Sequence, residues 1–523
     1  MAASATAPPI SELKSADTKA NAPATRRALR PTLAGFAVFA ALTVFFVFLS
    51  HRPLWHTDLW GHLAYGRLIV ESGSIPSTEP LIPLCEGVPF VDFSWLSEVL
   101  AFLAYQWRGA PALQFLYAAS ITTCVGLLAW CCLRKTGSAW AAALAAAIYV
   151  WVDWQQFAIV RPQLAGCVCF VVLFVTLTSP ISGVAGALLV TAFFAAWANL
   201  HGSFLIGLAV LAAFVCGRAG DLILRTRSLR SLPDDRRLRH GILLLILASA
   251  AVMLNPYGWR IYESARHLSS NANLADLVEW KPLRLWMWQA RAALAVALGL
   301  LILYVLTPRR ISTTELLLLV GLGAATLVTS RMLVWWGPVA AYYASLHAAA
   351  IWKRWRPRNR EQVAASARTI SWYCAFFVAS VALACTPLAA VLPHRPLSDP
   401  SDSLSADTPI AAANFLREYP PHGQIFNTLE WGDYLLWAGP VQLEVFVASH
   451  VHLLPRPVWQ DYVRTITLDD GWQKILDRYR INTAVVDDDQ HAALADALRE
   501  DPAWSVAYED AQGLIFVRRH PLD

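Results

Sequence analysis

Apolar runs of spanning length recur along the chain, separated by short polar stretches. The first is residues 32–50, and further runs cover about 110–133, 138–156, 163–179, 182–199 and 203–217. Others follow at 241–255, 290–306, 312–329, 332–350 and 370–392. About twenty apolar residues are needed for a helix to cross a bilayer. The pattern therefore predicts an α-helical polytopic membrane protein with about eleven transmembrane helices. The run at 95–107 (WLSEVLAFLAYQW) is too short to span comfortably and carries Glu98, so it reads as a helix lying in the interface.

Basic residues set the orientation. Arg134 and Lys135, the stretch RAGDLILRTRSLRSLPDDRRLRH, Arg309 and Arg310, and KRWRPRNR all fall on one side of an eleven-span chain. Cytoplasmic loops carry such an excess. The N-terminus is then expected in the cytoplasm, and the loop 51–109 on the outer face of a cytoplasmic (inner) membrane. Counting 95–107 as a span would invert the two most basic loops.

Outside the spans the character changes. Residues 1–31 are rich in Ala, Ser and Pro and read as a disordered cytoplasmic tail. Residues 393–408 are a Pro, Ser and Asp linker. From 409 to 523 the pattern is soluble α/β. Helical stretches at 409–418, 430–438, 457–466, 471–479 and 490–500 are interspersed with β-rich runs IFNT, LEVFVA, NTAVVD, WSVAYE and LIFVRR. This predicts a small extracytoplasmic sheet packed by helices. It shows no Gly-rich phosphate loop and no metal-ligand spacing.

Composition agrees with the class. Of 523 residues, 56% are hydrophobic and only 15% charged, well under the quarter usual for soluble domains. The net charge of +5 is small and scattered, which gives no reason to expect a nucleic-acid partner. Of the nine cysteines only Cys85 lies in a polar loop, and no C-x-x-C pair occurs, so no disulfide framework or structural zinc site is indicated. The 23 tryptophans suit interfacial belts, where an amphipathic ring sits between lipid and water.

Candidate chemistry gathers in residues 51–98, which bring His56, Asp58, His62, Glu71, Asp92 and Glu98 into one stretch beside the membrane. Asp58 follows the first span closely. A carboxylate there can deprotonate an acceptor, hold a divalent metal, or cap the helix that begins at Thr57-Asp58. His56, Asp58 and His62 form H-x-D-x-x-x-H, with Asp58 and His62 on one helical face. The pattern leaves a divalent cofactor such as magnesium or manganese open without assigning a ligand set. Asp92 is placed to cap the interfacial helix, and Glu98 to face a cavity.

A second constellation is Arg161 (FAIVRPQL), His201 (ANLHGSF) and Arg331 (TSRMLVWW), each at the outer end of a different span. Ionisable groups at apolar boundaries are costly unless used or snorkelled. Three at one face read as an anion site, and a lipid phosphate suits arginine's paired donors. Asp153 is assigned to the same side. Asn255 (NPYG), Glu279 and Lys281 (EWKP) lie in a second outer loop.

The loop DLWGHLAYGRLIVESGSIPSTEP…GVPFVDFSWLSEVLAFLAYQWRGAPALQ, following a single N-terminal span, resembles the C-type glycosyltransferase superfamily. Within it, the loop resembles bacterial members related to the protein mannosyltransferases and the lipid A aminoarabinose transferases. RPQL, NLHGSF, NPYG and EWKP resemble a further bacterial branch, and the likeness covers roughly 32–350. The resemblance implies a polyprenyl-phosphate sugar as donor, transfer at the outer face, and inversion at the anomeric carbon. Asp58 matches the superfamily's first-loop catalytic acid. The mannosyltransferases carry Asp-Glu there, whereas Leu59 follows here, which puts metal dependence in doubt. Either Asp92, Glu98 or Asp153 substitutes, or no second acid is needed. The acceptor's class stays open, and the C-terminal segment has no counterpart with an assigned role. The alternatives are a transporter or flippase of lipid-linked sugars, and a non-catalytic membrane assembly protein.

Overall fold

The computed structural model describes residues 32–55, 58–179, 181, 183–355, 370–392 and 403–522. The N-terminal tail, the first part of the linker and His56 lie outside the described residues.

Helix α1 (Leu33–Ser50) starts at Thr32, whose hydroxyl accepts the Gly35 N–H. The first loop holds α2 (Asp58–Ser72) and α3 (Trp95–Arg108). The chain then runs through α4 (Ala110–Thr136), α5 (Ala139–Phe157), α6 (Gln163–Leu177), α7 (Gly183–Leu200), α8 (Phe204–Thr226) and α9 (Arg236–Ala251). Helix α4 stops just after Arg134 and Lys135, at Gly137, which takes the left-handed conformation open to glycine. Asp235 caps α9 through the Leu238 N–H and pairs with Arg218 at 2.6 Å. The second loop contains α10 (Arg260–Ser269), and α11 (Trp288–Leu306), α12 (Thr313–Val328), α13 (Leu333–Trp355), α14 (Trp372–Ala384) and α15 (Pro387–Val391) complete the bundle.

A helix thus stands at each of the eleven positions read as spans. Five of them, α1, α4, α7, α8 and α11, are long and apolar enough to cross a membrane by length and composition. Helices α6, α12 and α14 are apolar but shorter. Helix length alone therefore does not fix the count at eleven.

Helix α13 is the axis of the bundle, and every residue from Leu333 to His347 is buried. Its small residues Gly337, Ala340 and Ala341 and those of α5, Ala141, Ala142 and Ala145, are all buried in this packing. Small side chains let helix backbones approach closely, a main source of packing energy between membrane helices. At the end of α13 that carries Lys353, a polar knot around the buried Glu315 and His347 joins α12, α13 and the turn between α11 and α12. His347 Nε2 lies 2.6 Å from Glu315 Oε1, and Arg309 donates to Glu315 Oε2 at 3.1 Å.

The C-terminal segment folds as helices α16 (Ile410–Glu418), α17 (Leu429–Ala438), α18 (Arg456–Ile466), α19 (Trp472–Arg478) and α20 (Asp488–Glu500) around a four-stranded sheet. Its strands are β1 (Ile425–Asn427), β2 (Thr483–Asp487), β3 (Trp504–Glu509) and β4 (Gly513–Arg518), in the order β1-β2-β4-β3. β1 and β2 are parallel, and the β2–β4 and β4–β3 pairs are antiparallel. The run LEVFVA, read as a strand, is not one. Its backbone pairs with β1 at a single bridge, Ile425 to Val445. The Asn427 side chain instead takes the Phe446 N–H at 2.9 Å and donates to the Val447 carbonyl at 2.8 Å. A side chain thereby satisfies backbone groups that a ladder would otherwise pair.

This segment is not a loose appendage. Across the junction the Leu54 N–H donates to the Ser403 carbonyl at 2.8 Å, the Leu54 carbonyl accepts the Ser405 N–H at 2.9 Å, and the Trp55 indole donates to Asp407 at 2.6 Å. Asn273 of the second loop donates to the Val451 and Leu454 carbonyls, each at 2.8 Å. The apolar core crosses the junction too: Tyr65, Phe90 and Leu274 share one buried cluster with Phe426, Phe446 and Trp459.

Candidate active site

Asp58 is the first residue of α2, and His62 follows one turn later on the same face. Arg161 sits in the turn between α5 and α6, Glu279 in the loop between α9 and α11, and Arg331 in the turn between α12 and α13. The fold links them in a row. Arg161 Nη1 donates to Asp58 Oδ2 at 3.2 Å and to Glu279 Oε2 at 3.0 Å. Arg331 Nη1 donates to Glu279 Oε1 at 2.8 Å. Glu279 therefore bridges two arginines from different inter-helix turns, and Asp58 joins the same row.

Glu279 is fixed from behind. Its carbonyl accepts Thr329 Oγ1 at 3.1 Å and Ser330 Oγ at 3.0 Å, and the Trp280 ring lies 5.2 Å from the Arg331 guanidinium. Burial alone would raise the Glu279 carboxyl, but the two guanidinium charges outweigh it and hold it below its ordinary range. Two acids and two bases leave the row neutral. Arg161 reaches both Asp58 and Glu279 through Nη1, whereas a guanidinium offers five N–H donors.

His201 joins this group electrostatically. Burial first, then the charges of Arg331 and Arg161, push its imidazole down to about 3. Its Nδ1 accepts the Ser203 N–H at 3.0 Å. A neutral ring so held presents Nε2–H as a donor but supplies no positive charge, so the expected three-cation site is two arginines and a neutral donor.

On the other flank of Asp58, His62 Nδ1 lies 2.7 Å from Glu98 Oε1. Asp92 Oδ1 accepts the Ser94 N–H at 2.7 Å, closing a turn just ahead of α3, and Tyr257 Oη accepts the Asp92 N–H at 3.0 Å. Tyr257 belongs to the NPYG turn, which thus braces this acid. Burial pushes Glu98 up to about 8 and raises Asp92 strongly, with the Glu98 charge adding to the latter.

Asp153 stands apart. It is fully buried on α5, against Gly337 of α13, and neither carboxylate oxygen has a hydrogen-bond partner among the described residues. It makes no bond to the Asp58 row. The packing of α5 against α13 encloses it.

The C-terminal segment supplies residues that sequence reasoning missed. Asp433 of α17 lies against Gly61, where a β-carbon would collide with its carboxylate. Burial, then the Asp58 charge, push Asp433 up to about 7. His450 packs 5.8 Å from the His62 ring and 4.6 Å from Tyr65. His452 is held down to about 4 by burial and by Arg331. In sequence, GDYLLWAGP reads as turn and helix, and nothing local signals that its aspartate reaches a membrane-proximal loop.

A divalent cation does not fit these residues as arranged. A guanidinium already lies on Asp58, and Glu98 takes His62 Nδ1. Among the described residues no three His, Cys, Asp or Glu side chains are grouped to hold an ion.

No protein-family model matches the sequence, and no curated protein sequence matches it. Solved structures do. The apo oligosaccharyltransferase of Archaeoglobus fulgidus aligns with TM-score 0.53 and 13% identity over 86% of this chain and 69% of that one. The archaeal oligosaccharyltransferase AglB from Archaeoglobus fulgidus, in complex with an inhibitory peptide and a dolichol-phosphate, gives 0.53 and 13% over 93% and 75%. ArnT from Cupriavidus metallidurans, bound to undecaprenyl phosphate, gives 0.50 and 14% over 92% and 98%. These neighbours are glycosyltransferases of the GT-C fold, and the chain is similar to them in that fold. The likeness expected from residues 32–350 thus extends into the C-terminal segment.

Proposed function

We propose that the protein is a membrane glycosyltransferase that moves a hexosyl or pentosyl group from a polyprenyl-phosphate donor to an acceptor at the outer face of the cytoplasmic membrane. The observation that carries this reading is the row Asp58–Arg161–Glu279–Arg331. The two arginines bind the donor phosphate and stabilise the charge that develops as it leaves, with His201 Nε2–H as a further donor. Asp58 orients the acceptor's nucleophilic group. Attack on the anomeric carbon from the face opposite the phosphate inverts its configuration. Positioning and charge stabilisation suffice because phosphate is already a good leaving group.

In this reading the chain crosses the membrane eleven times, residues 1–31 are cytoplasmic, and residues 409–523 cover the outer face. The C-terminal segment forms the second wall of the acceptor cleft, which is why Asp433 and His452 come within range of Asp58 and Arg331. The polar cluster around Asp58 gathers at the first and second outer loops, not along a path through the bundle, which favours an enzyme over a flippase. The test is transfer of label from a panel of radiolabelled polyprenyl-phosphate sugars in membranes. Wild type is expected to transfer, and a folded Asp58→Asn protein to lose about a hundredfold or more, the scale of a lost transition-state contact. Full transfer by Asp58→Asn would remove Asp58 from the mechanism. Movement of labelled lipid between leaflets by both proteins, without transfer, would point to the flippase.

A further inference from the structure

Asp58 already accepts from Arg161, so the group that receives the acceptor's proton is a separate question. His62 stands one turn away on the same face, and its Nδ1 is taken by Glu98 at 2.7 Å. Its Nε2 is then the ring nitrogen left for the acceptor proposed above, and the side chain keeps 17% of its surface exposed. Glu98, by contrast, is 1% exposed. Glu98 Oε2 and Asp92 Oδ2 are both buried, and neither has a donor among the described residues. The two carboxyl groups lie within hydrogen-bonding reach of each other. Two such oxygens repel unless a proton lies between them. The arrangement is thus a file of exchangeable protons: Asp92, Glu98, His62, cleft.

The geometry points to His62 as the group that takes the acceptor's proton, with Glu98 orienting its ring and storing the proton and Asp92 holding Glu98 by a shared hydrogen. This deepens the glycosyltransferase reading and rests on it. In the step, the acceptor's O–H or N–H proton passes to His62 Nε2 as the Nδ1 proton passes to Glu98 Oε1. The acceptor's electron pair forms the bond to the anomeric carbon. The bond from that carbon to the phosphate oxygen breaks, and its electron pair leaves with the lipid phosphate. Glu98 begins as carboxylate and ends as acid, and returns its proton to water after product leaves.

The surroundings favour this division of labour. Facing His62 are Asp58 from its own helix, Asp92 and Glu98 from the first loop, Asp433 and His450 from the C-terminal segment, and Arg161 and His201 from the turns after α5 and α7. Burial is the largest influence and lowers the imidazole despite the neighbouring acids. The ring therefore stays neutral while the proton rests on the acid behind it. An imidazole oriented by a carboxylate is the general design for activating a hydroxyl. A proton acceptor works best when it titrates near the working pH.

The test reads the ring directly, in the full chain reconstituted in lipid nanodiscs. Histidine is labelled with nitrogen-15, and His62 is assigned by difference from His62→Gln. Below the Glu98 transition the acid donates to Nδ1, so the ring carries its proton on Nε2. Above it the carboxylate accepts from Nδ1–H and Nε2 is bare. The expected result is a reversal of the His62 tautomer with a midpoint near 8, without an imidazolium stage, abolished in Glu98→Gln. An imidazolium that titrates at the ordinary 6.5, or one tautomer at every pH in the wild type, overturns the proposal. The readout needs no sugar donor, so failure to find a donor and failure of the relay are distinguishable. Once a donor is in hand, wild-type transfer should rise with pH through the same midpoint. His62→Gln should be at least about tenfold slower and flat. A His62→Gln protein with the wild-type profile also overturns it.

Discussion

Glu279 shows what a single residue can hide. In the sequence it is one acid in EWKP, inside a loop of 30 or so residues, with nothing to separate it from its neighbours. In the fold it joins Arg161 and Arg331, which are 170 positions apart in the numbering. The arginines were legible because a charge at the edge of an apolar run is costly and so conspicuous. Asp58 and His62 were legible because a four-residue spacing is local. Glu279 and Asp433 were not, because their partners are set by tertiary packing alone. Glu98 also carries a prediction at this scale. Its carboxyl rises from an ordinary 4.5 to about 8 on burial. Between those values the folded chain holds a proton that the unfolded chain has released, so stability present below 4.5 is lost as pH rises through 8. For a fully buried group the effect is on the order of a few kcal/mol. In nanodiscs the thermal midpoint of wild type should therefore fall relative to that of Glu98→Gln between about pH 5 and pH 9, the comparison cancelling the other buried acids and histidines. A difference between the two midpoints that is constant across this range would contradict the assignment.

Among elements, α2 does most to join the halves of the molecule. Its glycines are the reason. A β-carbon on Gly61 would meet the Asp433 carboxylate, and one on Gly66 would meet the Glu98 backbone carbonyl. Helix α2 thus packs close to α17 on one side and α3 on the other. The apolar pattern predicts this helix but not its closeness, since glycine within a helix usually reads as a weakness. Gly61→Val should force α17 away from α2, lowering the thermal midpoint by several degrees and transfer by at least about tenfold. Gly299→Val is the control, because nothing stands within 4 Å of a β-carbon there. Equal effects from the two would mean that the approach of α17 is unimportant. The same limit explains the run LEVFVA. Alternating apolar residues announce a strand, but Asn427 takes its backbone groups, and a side chain 19 or 20 residues away is invisible to periodicity.

For the whole molecule, the helical membrane class was plain from composition and apolar runs, and a helix stands at every expected span. The union of the two parts was not plain, because the linker suggested independence. Buried clusters that cross the junction, with the Asn273 and Arg456 contacts, argue for one body. A protease site inserted between residues 392 and 403 should therefore yield a C-terminal fragment that stays with the membrane fragment through size exclusion in detergent. Separation of the fragments at low salt would contradict that union. The central claim is that the arginine pair bridged by Glu279 receives the donor's phosphate. Its most direct measurement is the affinity of the purified protein for undecaprenyl phosphate, wild type beside Arg331→Gln and Arg161→Gln. Loss of one charge-assisted contact should weaken binding by about tenfold or more in each folded variant. Unchanged affinity in both would contradict the account and leave the row as a structural clasp.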